Sequence, residues 1–422
     1  MKPGFYTIMS AQFFSSLADN ALLIAAVALL MQANAPEWMP PLLKLIFAFA
    51  YVLLAPFVGT FADAIPKGKV MLITNSIKIL GCILMFLGTH PLIAYAIVGL
   101  GAAAYSPAKY GILTELLPHD RLVAANGWIE GLTVLSIILG AVLGGILIMP
   151  GTAEALKNIT QFNFQTAAHA AIFVITFSYV IAAIFNLKIP DTGARYAFQP
   201  IHPLKTTQRF LTHVVLLWQD KLGQITLGVT TLFWGAGATL QFIIIHWSAS
   251  ALGMSLDQAA ILQGVCALGV AAGAITAAKL IPLKKAMSVL PMGILLGVGM
   301  LFLVLIHEVK TANVLIICVG AISGFFVVPM NALLQHRGHV LLSAGRSIAI
   351  QNFNENFSIL GMLAIYALLI SLEVSINTVI ILFGLFIVCS MILVILKHRH
   401  TQLKLNVEAL IGEEQPNGFR IK

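Results

Sequence analysis

Long apolar runs separated by short polar breaks dominate the chain. A helix needs about 20 mostly apolar residues to cross a bilayer core. Twelve segments meet that requirement, at roughly 7–32, 42–64, 69–89, 91–115, 122–149, 167–188, 224–249, 258–280, 286–306, 311–335, 343–371 and 374–397. The runs are continuous rather than alternating with a period of two, which argues against a transmembrane barrel. The pattern predicts an all-α integral membrane protein of twelve transmembrane helices, and the even number puts both termini on one side. The first apolar stretch, about 5–31, is too long for the core of a cleavable signal peptide and contains Asp19, so it is expected to stay as a span.

The longest internal polar stretch falls midway and divides the spans six and six. The expected organisation is a six-helix half over 1–188, a central loop over 189–223, a second six-helix half over 224–397 and a polar tail over 398–422. In the loop, Leu204, Phe210, Leu211, Val214, Val215 and Trp218 recur at helical spacing with Lys205 and Arg209 among them, the pattern of an amphipathic helix lying on the membrane surface. A shift of 222 places Pro107 on Pro329, Lys109 on Asn331, Glu115 on Arg337 and Asp19 on Gln241. Several matches at one offset suggest two parallel halves related by duplication, with a site expected at the midplane between them.

Composition agrees. Of 422 residues, 59% are hydrophobic and only 9% charged, with a mean hydropathy of +0.96. A soluble domain carries about 25% charged residues, so soluble, fibrous, disordered and disulfide-rich secreted proteins are excluded. The net charge of +8 does not imply nucleic acid, because the basic residues have a topological distribution. Nineteen Lys and Arg fall on the side of the termini, three (Lys44, Lys157, Lys310) on the other, and Lys78 and Lys109 within spans. Positive charge accumulates in cytoplasmic loops and meets anionic lipid headgroups there, so both termini are expected in the cytoplasm and membrane lipids are the expected partners of this belt.

Five charges lie inside spans: Asp19, Lys78, Lys109, Glu130 and Glu355. A charge at the bilayer centre costs at least about 2.5–3.5 kcal/mol and normally faces a cavity or a partner. Asp19 and Glu355 each sit about 12 residues from the cytoplasmic end of their spans, roughly 18 Å deep. Asn20 stands beside Asp19, and Gln351, Asn352, Asn354 and Asn356 surround Glu355. A short carboxylate cannot snorkel from that depth, so binding is the favoured reading, against a structural ion pair or a protonated packing residue. Lys109 follows Pro107, which can bend a helix around a cavity; it is read as part of a substrate path, or else as the counter-ion of Glu130 or Asp19. Glu130 is read as either packing or functional. Lys78, on a peripheral span, is expected to be structural or to snorkel.

The loop between spans 2 and 3 runs Gly59-Thr60-Phe61-Ala62-Asp63-Ala64-Ile65-Pro66-Lys67-Gly68-Lys69. An acid at a helix end, a tight Pro/Gly turn and the pair Lys67 and Lys69 suit a cytoplasmic latch, or simply a basic turn. His336, Arg337 and His339 cluster at another cytoplasmic helix end, as a topology signal first and a gating group second. No Walker loop, dinucleotide Gly pattern, HExxH or CxxC is present, so no catalytic residue, metal ligand or cofactor is expected.

Carboxylates and a lysine in an otherwise apolar cavity suit a charged ligand with an apolar part, which would also fit an exporter of amphiphilic drugs. The segments SLADNALL (16–23), APFVGTFAD (55–63), GAAAYSPAKYGIL (101–113), ANGWIEG (125–131), LFWGAGATLQF (232–242), FFVVPMNALLQHRG (325–338) and IQNFNEN (350–356) closely resemble bacterial lysophospholipid transporters of the major facilitator superfamily. The loop around Asp63 likewise resembles that superfamily's signature loop, with Lys279, Lys284 and Lys285 as a degenerate second copy. The resemblance implies the major facilitator fold and alternating access. It also implies movement of lysophosphatidylethanolamine and lysophosphatidylglycerol from the outer to the inner leaflet of a bacterial inner membrane, followed by reacylation. Some relatives carry an acyltransferase fused to the transporter; here the acyltransferase and acyl carrier protein synthetase partner is expected to be a separate protein on the cytoplasmic face. On this resemblance Lys109 would attract the phosphate, and Asp19 or Glu355, aided by Asn20 and Asn352, the ethanolamine ammonium. Gln241 takes a place where the family often has a basic residue, which weakens anion recognition from span 7. Two other readings remain: the drug exporter, and a membrane-embedded lipid-modifying enzyme, which would need a catalytic dyad near one interface.

Overall fold

The computed structural model describes residues 3–36, 39–160, 164–196, 202–254, 256–405 and 407–411. Lys2, Arg420 and Lys422, and the tail beyond residue 411, lie outside the described residues. Among these residues, twelve helices are long and apolar enough to cross a membrane. The first half comprises α1 (Pro3–Gln32), α2 (Met39–Ala64), α3 (Lys67–Phe86), α4 (Pro91–Leu116), α5 (Leu122–Leu147) and, after a short α6 (Pro150–Thr160), α7 (Ala167–Leu187). After the connecting α8 (Pro203–Gln219), the second half comprises α9 (Gly223–Leu252), α10 (Leu256–Leu280), α11 (Leu290–Phe302), α12 (Val309–Leu341), α13 (Ala344–Ser371) and α14 (Ile376–Leu405).

Most spans are apolar on all sides, as required where one side meets protein and the other hydrocarbon. Leu53, Ile93, Val142, Phe177, Leu268, Val314 and Phe386 are exposed on the outside of the bundle. The ninth span, expected as one run over 286–306, has a short α-helical middle between 3-10 turns at Leu283–Val289 and Leu303–Leu305. Pro291 in the first turn of α11 explains its late start: it lacks an N–H and tolerates only the beginning of a helix. The α6 helix was not foreseen, because its composition is polar. Pro107 and Pro329 both lie inside helices, α4 and α12.

Small residues set the helix spacing. Gly269 and Gly273 of α10 face the backbone of Ile317 and Ala321, and Gly320 and Gly324 of α12 face that of Cys266 and Val270. Gly140 and Gly144 of α5 approach Leu17 and Ala21 of α1 in the same way. In lipid, such close backbone approach supplies the packing that water-driven association supplies elsewhere. Gly324→Val would drive a branched side chain into the Val270 carbonyl. It is expected to destabilise the protein by about 3 kcal/mol, the upper end of overpacking costs, read as a lowered thermal unfolding midpoint in detergent.

Candidate functional site: a central cavity sealed at one face

Among the described residues, twelve spans bring the start of α1 and the end of α14 to one face, here termed the basic face because the basic belt lies there. At that face the halves meet closely. A methyl group at Gly59 of α2 would lie 2.9 Å from Arg346 Cα on α13, and one at Gly127 of α5 would lie 3.1 Å from the Ala274 carbonyl of α10. Asp63 Oδ1 accepts from Lys67 Nζ at 2.6 Å and from the Gly345 N–H at 2.9 Å, and Oδ2 accepts from the Ser343 hydroxyl. Lys67 also reaches Glu115 Oε1 at 3.4 Å. The segment after α7 covers this cluster: Thr192 and Tyr196 donate to Glu115 at 2.8 and 3.1 Å. The Arg195 guanidinium and the Gly193 N–H hold Asp191, in the same segment, at about 2, below the usual carboxylate range. Deeper, Asn126 of α5 and Gln335 of α12 exchange two amide hydrogen bonds of 2.9 Å.

Above this seal lies a cavity of about 410 Å³, within the range of small-molecule sites. Its lining climbs α1 from Gln12 to Leu23, α4 from Tyr110 back to Tyr95 and α13 from Gln351 to Ile359, and reaches Lys44 near the far end of α2. The sealed end is polar, with Ser106, Lys109, Asn331, Gln351, Asn352 and Glu355; Leu23, Phe47, Ile137 and Ile359 add apolar wall. Asn352 bridges the halves by donating to Ser106 Oγ at 2.9 Å.

The five charges within the spans separate into three arrangements. Asp19 is bound to Lys78, whose Nζ lies 2.9 Å from both carboxylate oxygens; Tyr179 donates to Oδ1 at 2.6 Å and Ser15 accepts from Lys78 at 3.0 Å. Lys78 is 1% exposed, so it does not snorkel. Its peripheral helix places it to reach inward, with its ammonium 5.0 Å from the Tyr105 ring centroid. Glu130 and Glu355 form the ends of an amide relay. Asn331 donates to Glu130 at 3.3 Å, and Gln351 donates to Asn331 at 3.1 Å and to Glu355 at 2.8 Å. This relay spans both halves, since Glu130 belongs to α5. Lys109 is neither arrangement's partner. Among the described residues it forms no ion pair or hydrogen bond, and it lies 4.1 Å from the Tyr110 ring centroid.

Four lining residues carry buried polar atoms without a hydrogen-bond partner among the described residues: Tyr105 Oη, Thr133 Oγ1, Trp234 Nε1 and Gln351 Oε1. Buried polar groups are nearly always satisfied, so these atoms and Lys109 mark a place built for a polar guest or water.

The cavity therefore gathers Asp19, Asn20, Lys109, Asn352 and Glu355. Asn20 donates to the Ser16 carbonyl on its own helix at 2.8 Å. Gln241 is not among the lining residues: it is exposed, about 10 Å beyond Trp234 along α9. The offset matching it to Asp19 aligned sequence positions and not helix faces. At the seal, Asp63 and Lys67 come together as an ion pair, whereas Lys69 is exposed. Arg337 pairs with Asp220 through two bonds of 3.0 and 2.8 Å, and Asp220 also accepts from the Gly223 N–H at the start of α9. Ser343, Tyr105, Trp234 and the cavity-lining Tyr51 were not singled out from sequence, and Glu115 entered only through the offset that places it on Arg337; the GAAAYSPAKY string carried Tyr105 without indicating its role. Asp63→Asn is expected to raise labelling from the basic face of a cysteine placed at Ser106, in a cysteine-free background, about tenfold, because Asn cannot hold Lys67 by charge.

The sequence pattern of the Major Facilitator Superfamily matches residues 8–353. The chain is 42% identical over 371 residues to the lysophospholipid transporter LplT of Pectobacterium carotovorum, covering 87% of each chain. It is 40% identical over 373 residues to LplT of Yersinia enterocolitica, covering 88% of each. Among solved structures, the Escherichia coli fucose:proton symporter FucP superposes with a TM-score of 0.73 at 13% identity, covering 93% of this chain and 98% of that one.

Proposed function

This chain belongs to the lysophospholipid transporters of the major facilitator superfamily, and from its cavity we propose how it holds its lipid. The observation that carries the reading is a half-buried lysine, free of ion pairs among the described residues, at the polar, sealed end of a cavity with unpaired polar atoms and apolar wall. A lysophospholipid has one phosphodiester, one headgroup and one acyl chain. Lys109 takes the phosphate by a charge-assisted hydrogen bond. Glu355, whose Oε1 is held by Gln351, takes the ethanolamine ammonium or the glycerol hydroxyls, with Asn352 beside it. Asp19 acts by positioning: with both oxygens on Lys78, it holds α1 and α3 around the cavity. The tail follows the apolar wall and leaves sideways into lipid.

The basic face is taken as cytoplasmic from the charge asymmetry, which makes this arrangement open to the periplasm. Loading then occurs from the outer leaflet, and rocking of the halves breaks the latch and releases the lipid inward. The lipid is not chemically changed; reacylation falls to a separate acyltransferase. The membrane is the bacterial inner membrane, with both termini inside.

Proteoliposomes carrying fluorescent lysophosphatidylethanolamine test this. Protein-dependent movement between leaflets with unchanged lipid is expected. Dye export without lysolipid movement would favour a drug exporter, and a converted lipid would indicate an enzyme; either overturns the reading. Glu355→Gln is expected to slow lysophosphatidylethanolamine about tenfold and lysophosphatidylglycerol less than threefold, because only the former has an ammonium to lose.

A further inference from the structure

A second pocket lies at the basic face between α2, α8 and α13. Its lining includes Gly59, Thr60, Thr206, Arg209, His213 and Arg346. Arg346, two residues into α13, is only 9% exposed. Among the described residues its guanidinium makes no hydrogen bond or ion pair. The carboxylate acting on it, Asp63, is already committed to Lys67, Ser343 and Gly345. A guanidinium presents five donors, and Arg346, lining the pocket, has them available to a guest there. Arg209 adds positive potential from α8, and His213 adds an imidazole that can hydrogen-bond. Burial, followed by Arg346 and Arg209, pushes His213 below the usual imidazole range.

We propose that this pocket binds the phosphodiester of an anionic diacyl phospholipid from the leaflet at the basic face. The accessible room, about 20 Å³, suits the oxygens of one tetrahedral group at its mouth and not an enclosed ligand. The remainder of the molecule must lie outside, and the outside is suited to acyl chains: Leu204, Leu211, Val215 and Trp218 of α8 are all exposed. Thr60 lies four residues before the end of α2, which sets the pocket about 6 Å inside the helix ends, at headgroup depth. Basic pockets between helices at this depth recognise anionic headgroups. The bound phosphate would connect α2 of one half, α13 of the other and the α8 connector beside the Asp63 latch, and so favour the arrangement closed at the basic face.

The test is thermal unfolding of the full chain in a neutral maltoside detergent, titrated with dioctanoyl phosphatidylglycerol, dioctanoyl phosphatidylcholine or inorganic phosphate. A saturable rise in midpoint is expected with phosphatidylglycerol, half-complete at a concentration at least tenfold below that needed for phosphatidylcholine, and absent with phosphate. Arg346→Gln should raise the half-saturating phosphatidylglycerol concentration at least tenfold. If that variant does not fold, the double variant Arg209→Gln, His213→Gln on α8 supplies the same test. Lys109→Gln should leave it within twofold, which separates this pocket from the transport cavity. Equal responses to the two lipids, a full response to phosphate alone, no response to any addition, indifference of both basic-group variants, or loss of the response in Lys109→Gln would each overturn the proposal.

Discussion

Replacing Lys78 with methionine is expected to destabilise the folded protein by about 3 kcal/mol, the lower end of the cost of removing one partner from a buried ion pair, because the Asp19 left behind is partly exposed to the cavity. The variant leaves the Asp19 carboxylate, 22% exposed at the cavity wall, with the Tyr179 hydroxyl as its one remaining side-chain partner among the described residues. Asp19→Asn leaves the reverse problem, an ammonium held by Ser15 and by two aromatic rings with centroids at 5.0 and 5.5 Å. Combining the two substitutions removes both charges, so the double variant should recover more than half of the stability lost by Lys78→Met. Thermal unfolding and yield from membranes read this directly. A Lys78→Met protein of ordinary stability that fails to transport would instead place the pair in contact with substrate.

The second large effect is on transport and not on folding. Lys109→Gln is expected to slow movement of both lysophosphatidylethanolamine and lysophosphatidylglycerol by about 10- to 150-fold. That range corresponds to the loss of one hydrogen bond to a charged group, about 1.5–3 kcal/mol. Both lipids should suffer alike, because both present a phosphate. Stability should change little, since Lys109 holds no structural partner among the described residues. Lys109→Arg should retain a substantial part of the rate. The proteoliposome assay, with unfolding midpoints measured in parallel, checks both statements; a marked headgroup bias in Lys109→Gln would place the lysine against the headgroup rather than the phosphate.

Spans were legible because hydrocarbon imposes a length and a composition on each one. The breaks that α11 required were less so, since Pro291 moves a helix start without changing hydropathy. Within the site, the residues that belong in a cavity were visible as charges and amides in apolar runs, but their pairing was not. Asp19 and Lys78 are 59 positions apart, and Asn331 lies 201 positions from Glu130. Only the folded bundle shows that one carboxylate is held by a cation and the other two by amides. Gln241 shows the reverse failure: the correspondence of the halves in sequence did not carry over to the same face of the cavity. The place of Glu115 in the charge cluster was not legible because it lies at the end of its span, where an acid has no cost to flag it. Tyr105 and Trp234 were overlooked because aromatic residues in a membrane helix are ordinary until their polar atoms prove unpaired.

The one-sided cavity also governs where the membrane voltage acts. Water entering to the level of Lys109 carries the potential of the open side with it. The voltage then falls across the sealed layer alone, about 10 Å from Lys109 to the end of α4 at Leu116, instead of a core about 30 Å thick. When the halves rock, the steep part of the field moves to the other side of the bound lipid in a single step. The lipid thus traverses the voltage without travelling the thickness of the bilayer. Each elementary charge it carries then exchanges about 2.3 kcal/mol with the field per 100 mV. Lysophosphatidylethanolamine, with no net charge, is indifferent to this step, whereas on the proposed inward route lysophosphatidylglycerol works against an inside-negative membrane.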